Sequence, residues 1–400
     1  MVFKENGRPK DVLVILREHH YNWVRLRLFH DPEASADKLP NDLPYTLALA
    51  KRAKALGFHF LLDLHYSDSW ADPGKQPTPA AWSKLTHKQL VHAVFAYTRR
   101  TIAAFAAHGV MPDMIQIGNE VTNGMLWPDG KLPEHWDNFA DLLKAGIAGV
   151  DAGRGSAPRP CIMIHIERSG DYPAAASFFD NLIAHHVPFD VIGLSYYPFW
   201  HGDIATLRTN LRDLALRYHR PIIVGETAFN WTPGGFAAMK GKKPDFPETP
   251  EGQRDFLRAV DAAVRAIPDG LGQGVFWREP AAESALRGRG FFDNGGNVLP
   301  VITAFDPPRA PWPPLLARRR LNHGEREMEG PEEMEETPKI RAVVVDDYSS
   351  SVLAWPPRDM VTVAQAAAEA PSPSTKSTFP TSPSWICACR VTATLRPFAT

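Results

Sequence analysis

The chain has 400 residues, a net charge of −1 and an apolar fraction of 44%, which are ordinary values for a globular protein. Such a balance excludes strong electrostatic attraction to nucleic acid or to an anionic membrane surface, and no apolar run is long enough to cross a bilayer. Cys161, Cys387 and Cys389 are too few and too oddly spaced for a disulfide framework, and no histidine cluster completes a zinc site beside the last two.

Met1 to Lys10 is polar, so no secretory leader is read there. Residues 11–18 read as a helix. From about residue 20 to 305, short apolar runs alternate with amphipathic stretches. The runs are 23–29, 58–64, 114–118, 161–166, 191–196, 222–224 and 274–277. One intervening stretch places Leu90, Val94, Phe95, Thr98, Ile102 and Phe105 on one face. Another does the same with Trp136, Phe139, Leu142, Leu143, Ile147 and Val150, at helical spacings of three and four. Strands that alternate with helices imply right-handed βαβ units and a parallel sheet. Seven strand candidates fall one short of a (β/α)₈ barrel, and the missing one should precede Trp23, where residues 3–7 are polar and turn-like. Residues 1–306 are therefore read as a TIM barrel lacking its first strand. Residues 307–400 contain an arginine-dense patch, an acidic run and a Pro/Ser/Thr segment, and are read as a low-complexity, mostly disordered tail. Residues 343–345 have strand character but no evident partner.

Barrel enzymes carry their reactive side chains at the C-terminal ends of strands, and the polar residues here keep that phase. Arg25 and Arg27 close one run, His65 follows the next, and Asn119 and Glu120 follow 114–118. His165 lies within the run 161–166, Tyr196 and Tyr197 close the next, and Glu226 follows the run 222–224. Singly, each is more often structural than catalytic; the shared phase reverses that expectation. Two carboxylates at the mouths of different strands suit acetal cleavage, which needs one proton donor and one group facing the anomeric carbon. Nearby tryptophans could stack on sugar rings, although most of the 11 are expected in the core.

Five stretches carry a family resemblance: WVRLRLFHDP, FLLDLHYSDSWADPGKQ, PDMIQIGNEVTNGMLWP, DVIGLSYYPFWHG and PIIVGETAFNW. Through them the chain, from about residue 3 to 305, resembles glycoside hydrolase family 53, the endo-β-1,4-galactanases that act on galactan side chains of pectin. The resemblance implies retaining double displacement with Glu120 as acid/base and Glu226 as nucleophile. It implies no cofactor and no metal, a β-1,4-galactan substrate, a monomer, and an extracellular or periplasmic setting. Arg25 or Arg27 would keep Glu226 ionised, and Tyr196 or Tyr197 would donate to it, with Arg27 and Tyr196 preferred. Asn119 would bind the sugar 2-hydroxyl, and His65, His165 and His201 would line the cleft. Trp70, Trp127 and Trp200 would be stacking platforms. Asp63 is expected to act as support, while Asp68 is either a ligand or a turn residue. Glu167 and Arg168 read as a salt-bridged surface pair.

The chain departs from the family pattern near residue 277. It reads GVFWREP where the family reads roughly GVFYWEP, so Arg278 stands where the cleft tryptophan is expected. Trp277 is counted as a substrate contact, but strand alternation would turn it outward. Residues 230–250 lack the oxygen ligands for the calcium loop of some relatives, and the segment after Pro280 is short. A related enzyme acting on mannan or xylan, or a sugar-binding barrel or fragment without turnover, are the competing readings.

Overall fold

Apolar runs of three to seven residues can be buried on both faces only inside a sheet covered by helices. That is their placement in the computed structural model, which describes residues 1–36, 39–234, 243–281, 288–307 and, for the backbone, 340–344. The barrel strands are β1 (Trp23–Leu28), β2 (His59–Leu64), β3 (Met114–Ile117), β4 (Cys161–Ile166), β5 (Val191–Tyr196), β6 (Ile222–Thr227), β7 (Gly272–Arg278) and β8 (Ile340–Val344). All neighbours run parallel, and the sheet closes on itself in chain order. The principal helices are α1 (Val12–Glu18), α2 (Leu43–Ala55), α3 (His87–Ala107), α4 (Trp136–Gly153), α5 (Tyr172–Ala184), α6 (Ile204–Tyr218) and α7 (Pro250–Arg265).

Local chemistry sets the helix starts. Asp11, Asp42, Asp171, Asp203 and Thr249 each cap a helix by accepting from backbone N–H groups of its first turn. The helical faces read from the sequence are the buried ones, except that Phe95 and Trp136 are half-buried at their margins. Leu90, Val94, Thr98, Ile102 and Phe105 of α3 are buried, as are Phe139, Leu142, Leu143, Ile147 and Val150 of α4. These two helices approach closely at Gly149 and Gly153, where a Cβ would lie 2.8 Å from the Phe95 carbonyl oxygen and 2.5 Å from that of Arg99.

No strand fills the first barrel position ahead of Trp23. Residues Lys4–Glu5 and Arg8–Pro9 form a two-residue hairpin instead. The open position is taken by β8, which corrects the expectation that this segment lacks partners. Ile340 to Val344 pair with Gly274 to Arg278 on one side, and Ala342 to Val344 pair with Trp23 to Arg25 on the other. The physical cause is the pair of exposed ladders that β1 and β7 would otherwise present. The average composition of residues 307–400 hid a five-residue strand. The rest of that tail, including Cys387 and Cys389, lies outside the described residues, as does part of the 230–250 loop. Cys161 is buried at the barrel floor.

The barrel interior has an apolar floor of Leu61, Met114, Cys161, Met163, Val191, Ile223 and Phe276, with Trp23 against it. Polar groups lie above this floor, toward the C-terminal strand ends.

β8 contributes ladder bonds on both sides. Deleting residues 308–400 therefore removes on the order of 5 kcal/mol of net hydrogen bonding and packing. A chain ending near residue 307 is expected to melt roughly 10 °C lower than the full chain or to aggregate, as measured by calorimetry and light scattering. An unchanged melt would mean that β8 does not hold the barrel closed.

Candidate active site

Strand alternation decides which side chains enter the barrel. On β1 the inward set is Trp23, Arg25 and Arg27; on β2 it is Leu61 and Asp63, followed by His65. Gln116 on β3, His165 on β4 and Ser195 on β5 take the same phase, each two residues along from a floor residue or from the glycine that replaces one. Strict alternation would turn Glu226 outward, because it lies three residues after the floor residue Ile223. A register shift between Val224 and Glu226 corrects this: Val224 pairs with Leu194, and Glu226 pairs with the inward Ser195. Such a bulge re-aims a side chain without breaking the strand. Glu120 reaches the same space by another route. It follows β3 with φ of 47°, in the left-handed region where a non-glycine residue is strained.

Arg25 joins these groups. Its Nη1 donates to Glu226 Oε2 at 2.9 Å, and its Nη2 donates to Asp63 Oδ2 and Asn119 Oδ1, both at 2.8 Å. Its Nε donates to Gln116 Oε1 at 3.1 Å, while Gln116 Nε2 donates to Asp63 Oδ1 at 2.8 Å. The other oxygen of Glu226, Oε1, accepts from the Tyr197 hydroxyl at 2.6 Å and from Arg278 Nη1 at 3.1 Å. Burial alone would favour a neutral Glu226, but the nearby cations Arg278 and Arg25 reverse this and hold its pKa well below the usual range.

Glu120 has the opposite environment. Burial and the charge of Glu226 push its pKa from 4.5 up to about 8. Its Oε1 lies 2.5 Å from Ser195 Oγ, which is 3.0 Å from His165 Nε2. His165 Nδ1 lies 3.1 Å from Asn119 Oδ1. That oxygen already accepts from Arg25, so Nδ1 must be the protonated nitrogen and Nε2 an acceptor. Ser195 then gives its one proton to His165, and a protonated Glu120 donates to Ser195. With Glu120 protonated, every donor in this chain has an acceptor. Burial lowers the His165 pKa to about 3, which keeps the ring neutral.

Two orientation expectations are corrected. Tyr197, not Tyr196, meets Glu226. Tyr196 points out of the barrel, donates to the Gly202 carbonyl at 3.0 Å and stacks on Phe256. Arg25, not Arg27, hydrogen-bonds Glu226; Arg27 faces in as well, because the two lie two residues apart. The Arg27 guanidinium sits 4.0 Å from the Trp70 ring, and its Nη2 is 3.8 Å from Glu279 Oε1. Trp277 is also corrected. It is buried against Phe256 and Phe291 outside the barrel, and its Nε1 donates to the Arg289 carbonyl.

The other expected residues divide between cleft and scaffold. His65 is buried 3.1 Å from Asp63 Oδ2 and edge-on to Phe29. Asp68 is a loop holder: it accepts from the backbone N–H groups of Asp31 and Ala80 and sits 3.1 Å from His30. His201 Nδ1 accepts from the Tyr197 backbone N–H at 2.9 Å, which fixes that loop instead of presenting the nitrogen to a ligand. Trp127 donates to the Asn123 carbonyl at 2.8 Å. Trp200 is 59% exposed and edge-on to Tyr197. Glu167 pairs with Arg168 at 3.1 Å and with the Thr122 hydroxyl, and burial raises its pKa, so it is less superficial than expected. Sequence reading missed Ser195 and Gln116, although both share the inward phase of residues already singled out. Among the described residues, no cluster of three His, Cys, Asp or Glu side chains could hold a metal.

The family model "Glycosyl hydrolase family 53" matches residues 2–305. The chain belongs to that family. It is 44% identical over 291 residues to a Niallia circulans protein of the bgaB 5′ region, covering 69% of this chain and 78% of that one. It is 39% identical over 287 residues to a probable arabinogalactan endo-beta-1,4-galactanase A of Aspergillus terreus, covering 69% and 79%. The Ignisphaera aggregans GH53 catalytic domain superposes with a TM-score of 0.70 at 35% identity, covering 76% of this chain and 90% of that one. This family 53 member is a glycosidase with a TIM barrel.

Two measurements test the site. Tyr197→Phe is expected to lower kcat about a hundredfold, whereas Tyr196→Phe leaves kcat unchanged and costs about 1 kcal/mol of stability. The reverse ranking would overturn the assigned orientation. Folding takes up a proton at Glu120 wherever pH lies between its ordinary 4.5 and its folded value of about 8. Ionisation of the unfolded chain thus destabilises the wild type as pH rises through that window. Glu120→Gln should be increasingly more stable than wild type across it, by denaturant titration at both ends. A constant difference would show that Glu120 is charged in the fold.

Proposed function

We propose that the chain is an endo-acting β-1,4-galactanase that cleaves galactan with retention. The observation that carries this reading is a buried carboxyl, Glu226, and a half-buried one, Glu120, with opposite proton preferences. Glu120 is held protonated, and Glu226 is held ionised. Glu120 donates its proton to the glycosidic oxygen as the bond to the anomeric carbon breaks, and Glu226 attacks that carbon to give a glycosyl ester. Glu120, now a carboxylate, takes a proton from water, whose oxygen attacks the same carbon and frees Glu226. Tyr197 and Arg25 steady the nucleophile. Asn119 Nδ2 uses one N–H on the Ala71 carbonyl at 2.8 Å and has a second for the sugar 2-hydroxyl. Trp70, Trp127 and Trp200 supply the aromatic faces for neighbouring sugars, and no cofactor takes part. The galactanase relative of Aspergillus terreus supports the choice of polymer. A polymeric substrate also favours an extracellular or periplasmic monomer, and no described helix is long and apolar enough to cross a membrane.

One observation favours a second reading. Arg278 lies on Glu226 Oε1, which suits a barrel that binds sugar without turnover. Incubation with β-1,4-galactan separates the two. The first reading expects oligosaccharides of several lengths, released first as the β-anomer and absent with Glu226→Ala. It also expects kcat/KM to fall as pH rises through about 8, where Glu120 loses its proton. Binding without release would support the second reading, and release of the α-anomer first would exclude retention.

A further inference from the structure

The proposed chemistry gives Arg278 no contact with substrate, yet this residue lies against the nucleophile. It is the last residue of β7 and enters the barrel in phase with the floor residue Phe276. Its Nη1 lies 3.1 Å from Glu226 Oε1, the oxygen that Tyr197 also contacts. Its Nε lies 3.5 Å from Glu279 Oε1, and its guanidinium carbon is 5.5 Å from the Trp70 ring centroid. Its side chain is 27% exposed, against 4% for Glu226, so it covers the nucleophile from the solvent side. Trp70, an expected sugar platform, is thus approached by two guanidiniums, those of Arg278 and Arg27.

We propose that Arg278 is a displaceable cap on the nucleophile, holding Glu226 and part of Trp70 in the resting enzyme and swinging aside when a sugar ring enters. The proposal rests on the glycosidase reading of the site. Glu226 is faced by Arg25 and Arg27 from β1, Glu120 after β3, His165 from β4, Tyr197 after β5 and Arg278 from β7. Arg25 alone already pairs the Oε2 side of the carboxylate. The second guanidinium therefore draws charge from the oxygen on which Tyr197 also converges, and it competes with substrate for the same volume. An arginine has enough rotatable bonds to withdraw toward solvent without moving the strand.

The test compares full-length wild type, Arg278→Gln and Arg278→Lys on β-1,4-galactan, with Glu226→Ala as the zero. Removing one charge-assisted hydrogen bond from the nucleophile should raise kcat/KM of Arg278→Gln about tenfold, mainly through KM. The acid limb of its pH profile should move to higher pH, because a cation that favours the ionised carboxylate is gone. Arg278→Lys, which keeps the charge, should retain an acid limb close to that of wild type. Equal or lower kcat/KM in Arg278→Gln, with the acid limb unmoved, would overturn the cap and make Arg278 part of the substrate contacts. A second readout does not depend on turnover. The Glu226 carboxyl, assigned with Glu226→Gln, is titrated by ¹³C NMR in wild type and in Arg278→Gln. A raised midpoint in the variant supports the cap even if no protein cleaves galactan, a result that would sink only the galactanase reading. An unmoved midpoint overturns the cap whatever the activity.

Discussion

The site depends on one guanidinium. Arg25 lies fully buried inside a barrel and bonds Glu226, Asp63, Asn119 and Gln116 at once. Two carboxylates out of contact with water would otherwise take up protons, because burial disfavours the charged form. Arg25 offsets both, and its planar fork fixes where each oxygen sits. Removing one partner of such a cluster leaves an uncompensated buried charge, which typically costs about 3–5 kcal/mol. The network is therefore as much a constraint on folding as on chemistry, and the apolar floor beneath it keeps water from replacing it.

Once Glu226 is fixed as an anion, the behaviour of Glu120 follows. A second, half-buried carboxyl near an ionised one resists losing its proton. Ser195, His165 and Asn119 then form a chain of hydrogen bonds whose donor order fits a protonated Glu120, and its far end is the same Asn119 oxygen that Arg25 holds. Arg278 and Arg25 thus hold one carboxyl ionised, and that negative charge, together with burial, keeps the other neutral. Opposite proton preferences in adjacent carboxyls are what an acid and a nucleophile require.

Period-two alternation and strand-end phase made most of this legible in the sequence. They placed seven strands, both helical faces and the two glutamates. The failures share a cause: side-chain direction depends on local register. Tyr196 and Tyr197 are adjacent, so only one can face inward, and spacing alone did not say which. Arg25 and Arg27 are two residues apart, so both face inward, and only the reach of each side chain separates the one on Glu226 from the one on Trp70. The bulge before Glu226 has no composition signal beyond Gly225, although without it the carboxyl would point at the helices. His201 is read from the sequence as a cleft residue, and Asp68 as either a ligand or a turn residue, because they sit in the right loops. Their bonds to backbone N–H groups show that a polar residue in an active-site loop can be spent on holding the loop in place.

The closing strand ties fold to chemistry. Val344 of β8 pairs with Arg25 on one side and with Arg278 on the other. The two guanidiniums that converge on Glu226 are therefore carried by strands whose separation β8 sets. Without that strand, β1 and β7 would have no shared neighbour, and nothing in the ladder would fix the distance between Arg25 and Arg278. Neighbouring strands in a sheet lie about 4.8 Å apart, so two strands that flank a third are held roughly twice that distance apart. Across such a gap, long arginine side chains can meet one carboxylate from opposite sides. A segment far along the chain, in a region whose average composition gave no sign of it, thereby sets the electrostatic environment of a residue at position 226.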